Sequence, residues 1–248
     1  MEAEEKETVE QETEGSVPVK AYSVIADDME LLKKYQDYNA DAIGIIRIPG
    51  TVLNHPVMQT RSDEEYYLMR GLDKQYNPHG VPFLSARSEM EGKGGNRIIY
   101  GHNIHKKTRD IFCDLAGYED LAFYQEHPII ETVSESGTRQ WLIFAYYLVD
   151  NADDEPFKYS DTVDFLSMAA YTAYMDEVGE RNWLCVPYEH SIDDTYLTLS
   201  SCSNELAGSG TNRMVVMAVQ IPYGLDISAQ VADTVMAEEP RLPDKLSK

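Results

Sequence analysis

Residues 196–202 read YLTLSSC, and residues 213–221 read RMVVMAVQI. The first stretch alternates leucines with Tyr and Thr, and the second is almost entirely apolar after its first residue, so both are predicted to be β-strands. The ten-residue loop SNELAGSGTN joins them, and consecutive strands joined in this way are expected to pair antiparallel. Cys202 ends the first strand and Arg213 begins the second. The two residues are therefore expected at the same end of one hairpin.

Short strands recur along the rest of the chain, and helices interrupt them. Strands are predicted around a Pro-Gly turn at residues 44–60, at residues 95–103, and on both sides of the sequence SESGT within residues 129–149. Helices are predicted at residues 27–39, 108–126 and 161–178. In the first, the pair Asp27 and Asp28 is the expected N-cap. In the last, Asp161 is the expected cap, and the expected buried face consists of Val163, Leu166, Ala170, Tyr174 and Val178.

Strands dominate this pattern, and the helices are predicted as insertions between them. The sequence contains no internal repeat and no Gly-rich phosphate-binding loop. These features favour a mainly β fold of the α+β class over an alternating βαβ sheet. We expect a closed or nearly closed β-barrel with an N-terminal helix and a helix inserted before the strand at residues 196–202.

The length of 248 residues favours one folded domain over two small ones. Residues 1–14, MEAEEKETVEQETE, contain seven Glu and one Lys. They predict an acidic, disordered leader over residues 1–26, with a recognition tail as the less favoured interpretation. The folded domain is predicted at residues 27–228, followed by a loose C-terminal tail at residues 229–248.

The composition excludes several classes of protein. A formal net charge of −22 argues against nucleic-acid binding through a basic surface, and against docking to anionic lipid by charge. No stretch approaches 18 apolar residues, so no transmembrane helix is predicted, and no signal peptide is visible. Three cysteines, an odd number, do not indicate a disulfide framework.

The three cysteines have different surroundings. Cys113 and Cys185 lie among apolar residues and are predicted to be small buried hydrophobic side chains. Cys202 has small polar residues on both sides. A thiol acts as a nucleophile only as the thiolate, so Cys202 needs a base or a positive charge that folding brings close.

Arg213 and His102 are the candidates for that role. A guanidinium at the hairpin end could hold a substrate carbonyl and stabilise an oxyanion, although an isolated arginine there is more often a surface residue. His102 ends the predicted strand NRIIYGH much as Cys202 ends its own, so it is the candidate base, with a structural histidine as the alternative. His105 and His102 form a possible i, i+3 metal pair, but no Cys or carboxylate cluster completes a zinc site, and no metal is predicted.

Read together, these motifs resemble the sortases, the cysteine transpeptidases of Gram-positive cell surfaces. The family signature TLxTC, with an Arg opening the next strand, stands here as TLSSC at residues 198–202 and Arg213. The family's histidine motif stands here as YGHN at residues 100–103. The resemblance extends from about residue 27 to residue 224, and the N-terminal and inserted helices indicate class B. Ser201 departs from the usual Thr: it keeps the hydroxyl but loses a methyl group beside Cys202.

The resemblance implies a mechanism. Cys202 would attack the carbonyl of a Thr in a sorting peptide near the C-terminus of a surface or pilus protein, forming a thioacyl-enzyme. An amine of a cell-wall peptide or a pilin Lys would then release the acyl group as a new amide. His102 would protonate the leaving amine and deprotonate the incoming one, and Arg213 would anchor and polarise the substrate. Three serines are implied at the substrate, Ser200 and Ser201 in the groove and the backbone N–H of Ser203 at the oxyanion.

The resemblance also implies a setting for this chemistry. It implies no cofactor, and a location outside the cell membrane at the cell surface, with membrane attachment only through an anchor that this sequence does not contain. The helix at residues 161–178, with the segment to about residue 190, is expected to form one wall of the peptide groove. Two other functions remain open: a hydrolytic cysteine peptidase with the same three residues, and a peptide-binding barrel without turnover.

Overall fold

The computed structural model describes residues 21–105, 108–151, 156–202 and 212–243. Within these ranges the strands are β1 (Ala42–Arg47), β2 (Asn54–Met58), β3 (Phe83–Leu84), β4 (Asn96–Gly101), β5 (Asn103–Ile104), β6 (Asp110–Ile111), β7 (Ile129–Ser134), β8 (Gly137–Asp150), β9 (Leu184–Cys185), β10 (Tyr196–Cys202), β11 (Asn212–Ile221) and β12 (Val235–Met236). The α-helices are α1 (Ala26–Tyr38), α2 (Leu121–Glu126), α3 (Met168–Arg181) and α4 (Ser228–Asp233). Two 3₁₀ helices cover Tyr66–Met69 and Cys113–Glu119.

A closed barrel forms the centre of the molecule, as the sequence predicts. Its strand order is β1-β2-β3-β4-β10-β11-β8-β7. The hairpin expected from the sequence is present, since β10 pairs antiparallel with β11 along its whole length. On its other side β10 pairs parallel with β4. Closing the sheet leaves no exposed edge strand in the barrel, so its backbone groups are paired around the ring.

The barrel has an apolar interior and a second apolar layer on the outside. Side chains alternate along a strand, so Met214, Val216 and Ala218 of β11 belong to one buried cluster and Val215 and Met217 to another. The second cluster also contains residues of α3, which covers the outer surface of β8 and β11. Burial on both faces explains why β11 reads as a continuous apolar run.

Helix α1 is confirmed within one residue, but its predicted cap is not. The helix begins at Ala26, and its N-cap, Ile25, makes no side-chain hydrogen bond. Asp28 instead binds across to the barrel, accepting from Arg47 Nη1 at 2.6 Å and from Thr138 Oγ1 at 2.7 Å. The carboxylate that was expected to cap the helix therefore attaches the helix to β1 and β8.

Helix α3 begins later than predicted. Ser167, not Asp161, is its N-cap, and Ser167 Oγ accepts from Ala170 N at 3.2 Å. The preceding segment is held by other parts of the chain, since Asn96 N donates to Val163 O at 2.6 Å. The Val163 carbonyl therefore accepts from β4 and not from a helical N–H. Leu166, expected on the buried face of the helix, is 91% exposed.

The C-terminal region is more ordered than predicted. The sequence predicts a loose tail from residue 229, but α4 covers Ser228–Asp233, and β12 pairs antiparallel with β9. Val231 packs against the barrel core, which gives this segment an apolar contact that local polarity does not reveal. The prediction is wrong up to Met236. Residues 1–20 of the predicted leader lie outside the described residues.

Candidate active site

Three neighbouring strands bring the predicted residues to one edge of the barrel. In the β10–β11 register, Cys202 lies directly opposite Arg213. In the parallel β4–β10 register, Ser201 lies opposite Gly101, and His102 follows Gly101 directly. Parallel strands end at the same edge of a sheet, so His102 and Cys202 leave the barrel side by side. The backbones of His102, Cys202 and Arg213 therefore lie at one edge of the barrel, and Cys202 and Arg213 lie at the same end of one hairpin, as the sequence predicts.

A cavity of about 270 Å³ opens at this edge, and it is called the groove below. Its described lining residues are Glu64, Glu65, Leu68, Phe83, Tyr100, Gly101, His102, Asn151, Tyr159, Ser160, Ser200, Ser201 and Arg213. A larger cavity of about 450 Å³ is lined by Thr195 and Ile221, which both lie at the end of the β10–β11 hairpin away from Cys202 and Arg213. None of the predicted site residues lines this larger cavity, so the groove is the candidate site.

The imidazole of His102 is held from one side. Its Nε2 lies 2.8 Å from the carbonyl oxygen of Leu68. A carbonyl oxygen can only accept, so Nε2 carries a hydrogen, and Nδ1 is the basic nitrogen of the neutral ring. The backbone is held as well, because Phe112 N donates to His102 O at 3.1 Å. Sequence reasoning did not find Leu68, since its contribution comes from the backbone and has no side-chain signature.

The two serines before Cys202 are both buried and both line the groove. The hydroxyl of Ser200 forms a 2.7 Å hydrogen bond with the hydroxyl of Tyr159. The Oγ of Ser201 has no hydrogen-bond partner among the described residues. A buried hydroxyl without a partner is costly, so it is a natural hydrogen-bonding position for a bound molecule. Tyr159 is a further lining residue that the sequence motifs did not indicate.

Arg213 and Tyr100 complete the described part of the groove. Arg213 is half-buried, and its Nη1 donates to the carbonyl oxygen of Asn212 at 3.1 Å. Burial raises the pKa of Tyr100 well above its ordinary value, so its phenol stays protonated at neutral pH. The groove thus offers a cation and neutral hydroxyl donors to a polar, extended ligand.

The family model described as "Sortase domain" matches residues 46–221, which include the whole barrel from β2 onward and the three converging residues. This chain belongs to the sortase family. It is 30% identical over 180 residues to sortase B of Staphylococcus aureus, an alignment that covers 73% of this chain and 70% of that protein. The sortase family consists of cysteine transpeptidases that act at the cell surface, so this chain is a sortase transpeptidase.

Solved structures agree with the sequence relatives. A Staphylococcus aureus sortase B–substrate complex matches with a TM-score of 0.69 and 27% identity, over 79% of this chain and 87% of that chain. A crystal structure of Staphylococcus aureus sortase B matches with a TM-score of 0.66 and 26% identity, over 80% of this chain and 99% of that chain. The predicted sortase barrel and the class B resemblance are both confirmed.

Parts of the predicted sortase site lie outside the described residues. The backbone of Cys202 is described but its side chain is not, and Ser203 falls in a range that the structure does not describe. The groove wall also differs from the expectation. None of the described residues that line the groove belongs to α3 or to residues 182–190. Tyr159 and Ser160, which precede the helix in the chain, do line the groove. Helix α3 instead packs on the outside of β8.

The other two cysteines of this sortase differ from each other. Cys113 is partly buried, and burial together with Asp114 raises the pKa of its thiol to about 11, so it is not a thiolate at neutral pH. Cys185 is exposed at β9, so its predicted burial is wrong. Alternation along the short β9 explains this: Leu184 takes the buried side and its neighbour faces out.

His105, one residue of the histidine pair considered for a metal, contacts an asparagine side chain. His105 Nδ1 lies 3.0 Å from Asn103 Oδ1. In the part of the chain that the structure describes, no group of three or more His, Cys, Asp or Glu side chains is placed to hold a metal ion. Within the same ranges, no helix combines the length and apolar character needed to cross a membrane.

Proposed function

We propose that Cys202, His102 and Arg213 transfer a sorting peptide of a surface or pilus protein to an amine of a cell-wall peptide or a pilin. The observation that carries the proposal is the register of β4, β10 and β11, which places the three residues at one edge of the barrel beside the groove. A cysteine, a histidine and an arginine at one edge of the barrel can supply a nucleophile, a proton carrier and an oxyanion partner.

The first half of the reaction forms a thioester. The thiolate of Cys202 attacks the carbonyl carbon of the scissile peptide bond, and the carbonyl oxygen becomes an oxyanion. Arg213 and the backbone N–H of Ser203 stabilise this oxyanion by hydrogen bonds. When the C–N bond breaks, the leaving amine takes a proton from His102, and the acyl group remains on the sulfur.

The second half reverses these roles. An incoming amine loses a proton to Nδ1 of His102 as it attacks the thioester, and Cys202 leaves as the thiolate. The hydrogen bond from Nε2 to the Leu68 carbonyl suits both protonation states of the ring, since Nε2 keeps its hydrogen in each. Only Nδ1 then has to exchange a proton, and the ring does not have to turn between the two steps.

The serines contribute to binding. Ser201 Oγ is buried in the groove wall without a partner among the described residues, which supports its assignment to a substrate hydrogen bond. Ser200 acts through Tyr159, whose hydroxyl shares its hydrogen bond. We also place the protein outside the membrane of a Gram-positive cell, attached through an anchor. The family membership supports this location.

Mass spectrometry of the enzyme with a sorting-peptide library tests the proposal. We expect a thioacyl adduct in the wild type, in Cys113→Ala and in Cys185→Ala, but not in Cys202→Ala, because the motif and the strand-end position single out Cys202. Products formed with and without an added amine distinguish transfer from hydrolysis. An adduct that survives in Cys202→Ala, or a product that is only the free acid at saturating amine, would contradict the proposed reaction.

A further inference from the structure

The segment that follows His102 is a strained hairpin. Strands β5 and β6 pair with each other, and the next residue, Phe112, donates its N–H to His102 O. Ile111 has a φ of 53°, in the left-handed region that a β-branched residue rarely adopts. The packing is tight as well, because a Cβ on Gly101 would lie 2.8 Å from the ring of Phe112. Strain of this kind persists only where surrounding contacts hold it in place.

The carboxylate of Asp110 supplies such contacts. Its Oδ1 accepts from the strained Ile111 N at 2.9 Å and lies 2.9 Å from His55 Nε2 in β2. Its Oδ2 lies 3.5 Å from His79 Nδ1. The side chains of Asp110, His55 and His79 are 34%, 24% and 39% exposed. One carboxylate therefore joins the hairpin to the barrel and to the loop that carries His79.

That loop also carries the group that holds the His102 ring. His79 N donates to Asn77 Oδ1 at 3.0 Å, and Asn77 N donates to Met69 O at 3.0 Å. Met69 follows Leu68, whose carbonyl accepts from His102 Nε2. The loop from the 3₁₀ helix to His79 is thus one hydrogen-bonded unit, with the Leu68 carbonyl near one end and the His79 contact near the other.

We infer that Asp110 is a positioning residue for His102. It links the segment that holds the backbone of His102, through Phe112, to the segment that holds its ring, through Leu68. Loss of the Asp110 charge would weaken the contacts to His79 and His55, and the two segments could then move independently. Displacement of a proton carrier by a fraction of an ångström slows the proton transfer while substrate binding is unaffected. This inference rests on the proposed role of His102.

The test uses Asp110→Asn, with Asp120→Asn as the matched control. Both carboxylates accept from a nearby backbone N–H, but Asp120 caps α2, where Asn caps as well as Asp, and its carboxylate accepts from Ala122 N of that helix. We expect Asp110→Asn to lower kcat for acylation by an amide peptide roughly 10-fold with KM within about 2-fold. Asp120→Asn should match the wild type. Thermal unfolding checks that each variant is folded.

A double variant distinguishes positioning from general loss of structure. With an activated ester of the same peptide as substrate, Asp110→Asn should cause no further loss in a His102→Ala background, because there is no imidazole left to position. An ester loss in the His102→Ala background as large as the amide loss in the wild-type background would overturn the inference, and so would the absence of a loss with the amide peptide in the wild-type background. If Asp110→Asn does not fold, His79→Gln, at a more exposed residue, takes its place. It should also lower kcat for amide acylation with little change in KM. Full amide activity in His102→Ala would instead refute the proposed function itself.

Discussion

At the scale of single residues, the proposed mechanism assigns charge stabilisation and proton transfer to two different side chains at the groove. Arg213 lies opposite Cys202 in the register, and His102 reaches the same edge from the parallel strand. The guanidinium of Arg213 is planar and makes directional hydrogen bonds that a lysine ammonium cannot copy. His102 presents one ring nitrogen to the carbonyl of Leu68, and the proposed mechanism uses the other nitrogen for proton exchange. Substitutions of Arg213 and His102 are therefore expected to change the acylation rate in different ways.

Arg213→Lys is expected to lower the acylation rate on the order of 100-fold, as for other groups that stabilise an oxyanion. The charge remains, but the fork geometry is lost. Single-turnover acylation with an amide sorting peptide measures the effect. Activity within a few fold of the wild type would mean that charge alone suffices at this position.

His102→Ala is expected to lower amide acylation at least as much, because both proton transfers pass through the imidazole. An activated ester leaves without needing a proton, so it should partly rescue His102→Ala but not Arg213→Lys. The comparison requires the acylation rates of both variants with an amide and with an ester of one peptide. Equal rescue of the two variants would show that the assigned roles are wrong.

At the scale of elements, α3 packs on the outer layer of the barrel, and it contributes none of the described residues that line the groove. Tyr171, Tyr174 and Val178 are buried against the outer face of β8 and β11. Met168, on the same helix, is 59% exposed. Of the predicted buried face, Tyr174 and Val178 are buried, whereas Leu166 and Ala170 are exposed. The start of this helix and its distance from the groove depend on contacts such as Asn96 N to Val163 O, which local periodicity does not encode.

Val178→Ala should therefore destabilise the protein without slowing catalysis. Removing two buried methyl groups costs about 2 kcal/mol of unfolding free energy. Since α3 contributes no described residue to the groove, kcat for acylation of the folded protein should stay within about 2-fold of the wild type. Met168→Ala is the control and should change neither quantity. Urea unfolding gives the first value and acylation kinetics the second. A clear loss of kcat in Val178→Ala would show that α3 contributes to the active site.

At the scale of the whole molecule, buried cations hold loops to the barrel. Arg139 of β8 is buried and donates to Glu91 in the loop before β4. Burial opposes ionisation of Glu91, but hydrogen bonds from Arg139 and two serines outweigh it and lower its pKa to about 2. Its folded pKa lies below the ordinary value of 4.5, so the ionised carboxylate stabilises the fold above pH 4.5. This contribution is lost as the pH falls from 4.5 towards 2.

Glu91→Gln should lower the melting temperature at pH 7, since it leaves the buried Arg139 without its carboxylate. The difference in melting temperature between the variant and the wild type should shrink as the pH falls from 4.5 towards 2, because Glu91 then becomes protonated in both the folded and the unfolded protein. Glu89→Gln, in the same loop, removes only an exposed pair with Arg61 and should have little effect. Calorimetry across this pH range gives the answer. A difference that is constant with pH would assign the effect to packing instead of charge.

The amino-acid sequence alone determined the barrel class and the hairpin that sets Cys202 opposite Arg213, because alternation and turn residues specify strands and their nearest pairings. It also indicated Cys202 as the candidate nucleophile. The end of the strand NRIIYGH and the family motif YGHN both indicated His102 as the candidate base. Only the tertiary structure decided how His102 is held. The parallel pairing of β4 with β10, the Leu68 carbonyl and the Asp110 carboxylate join segments that are distant along the chain. Such contacts involve backbone groups and single side chains on separate loops, which leave no periodic pattern in a sequence.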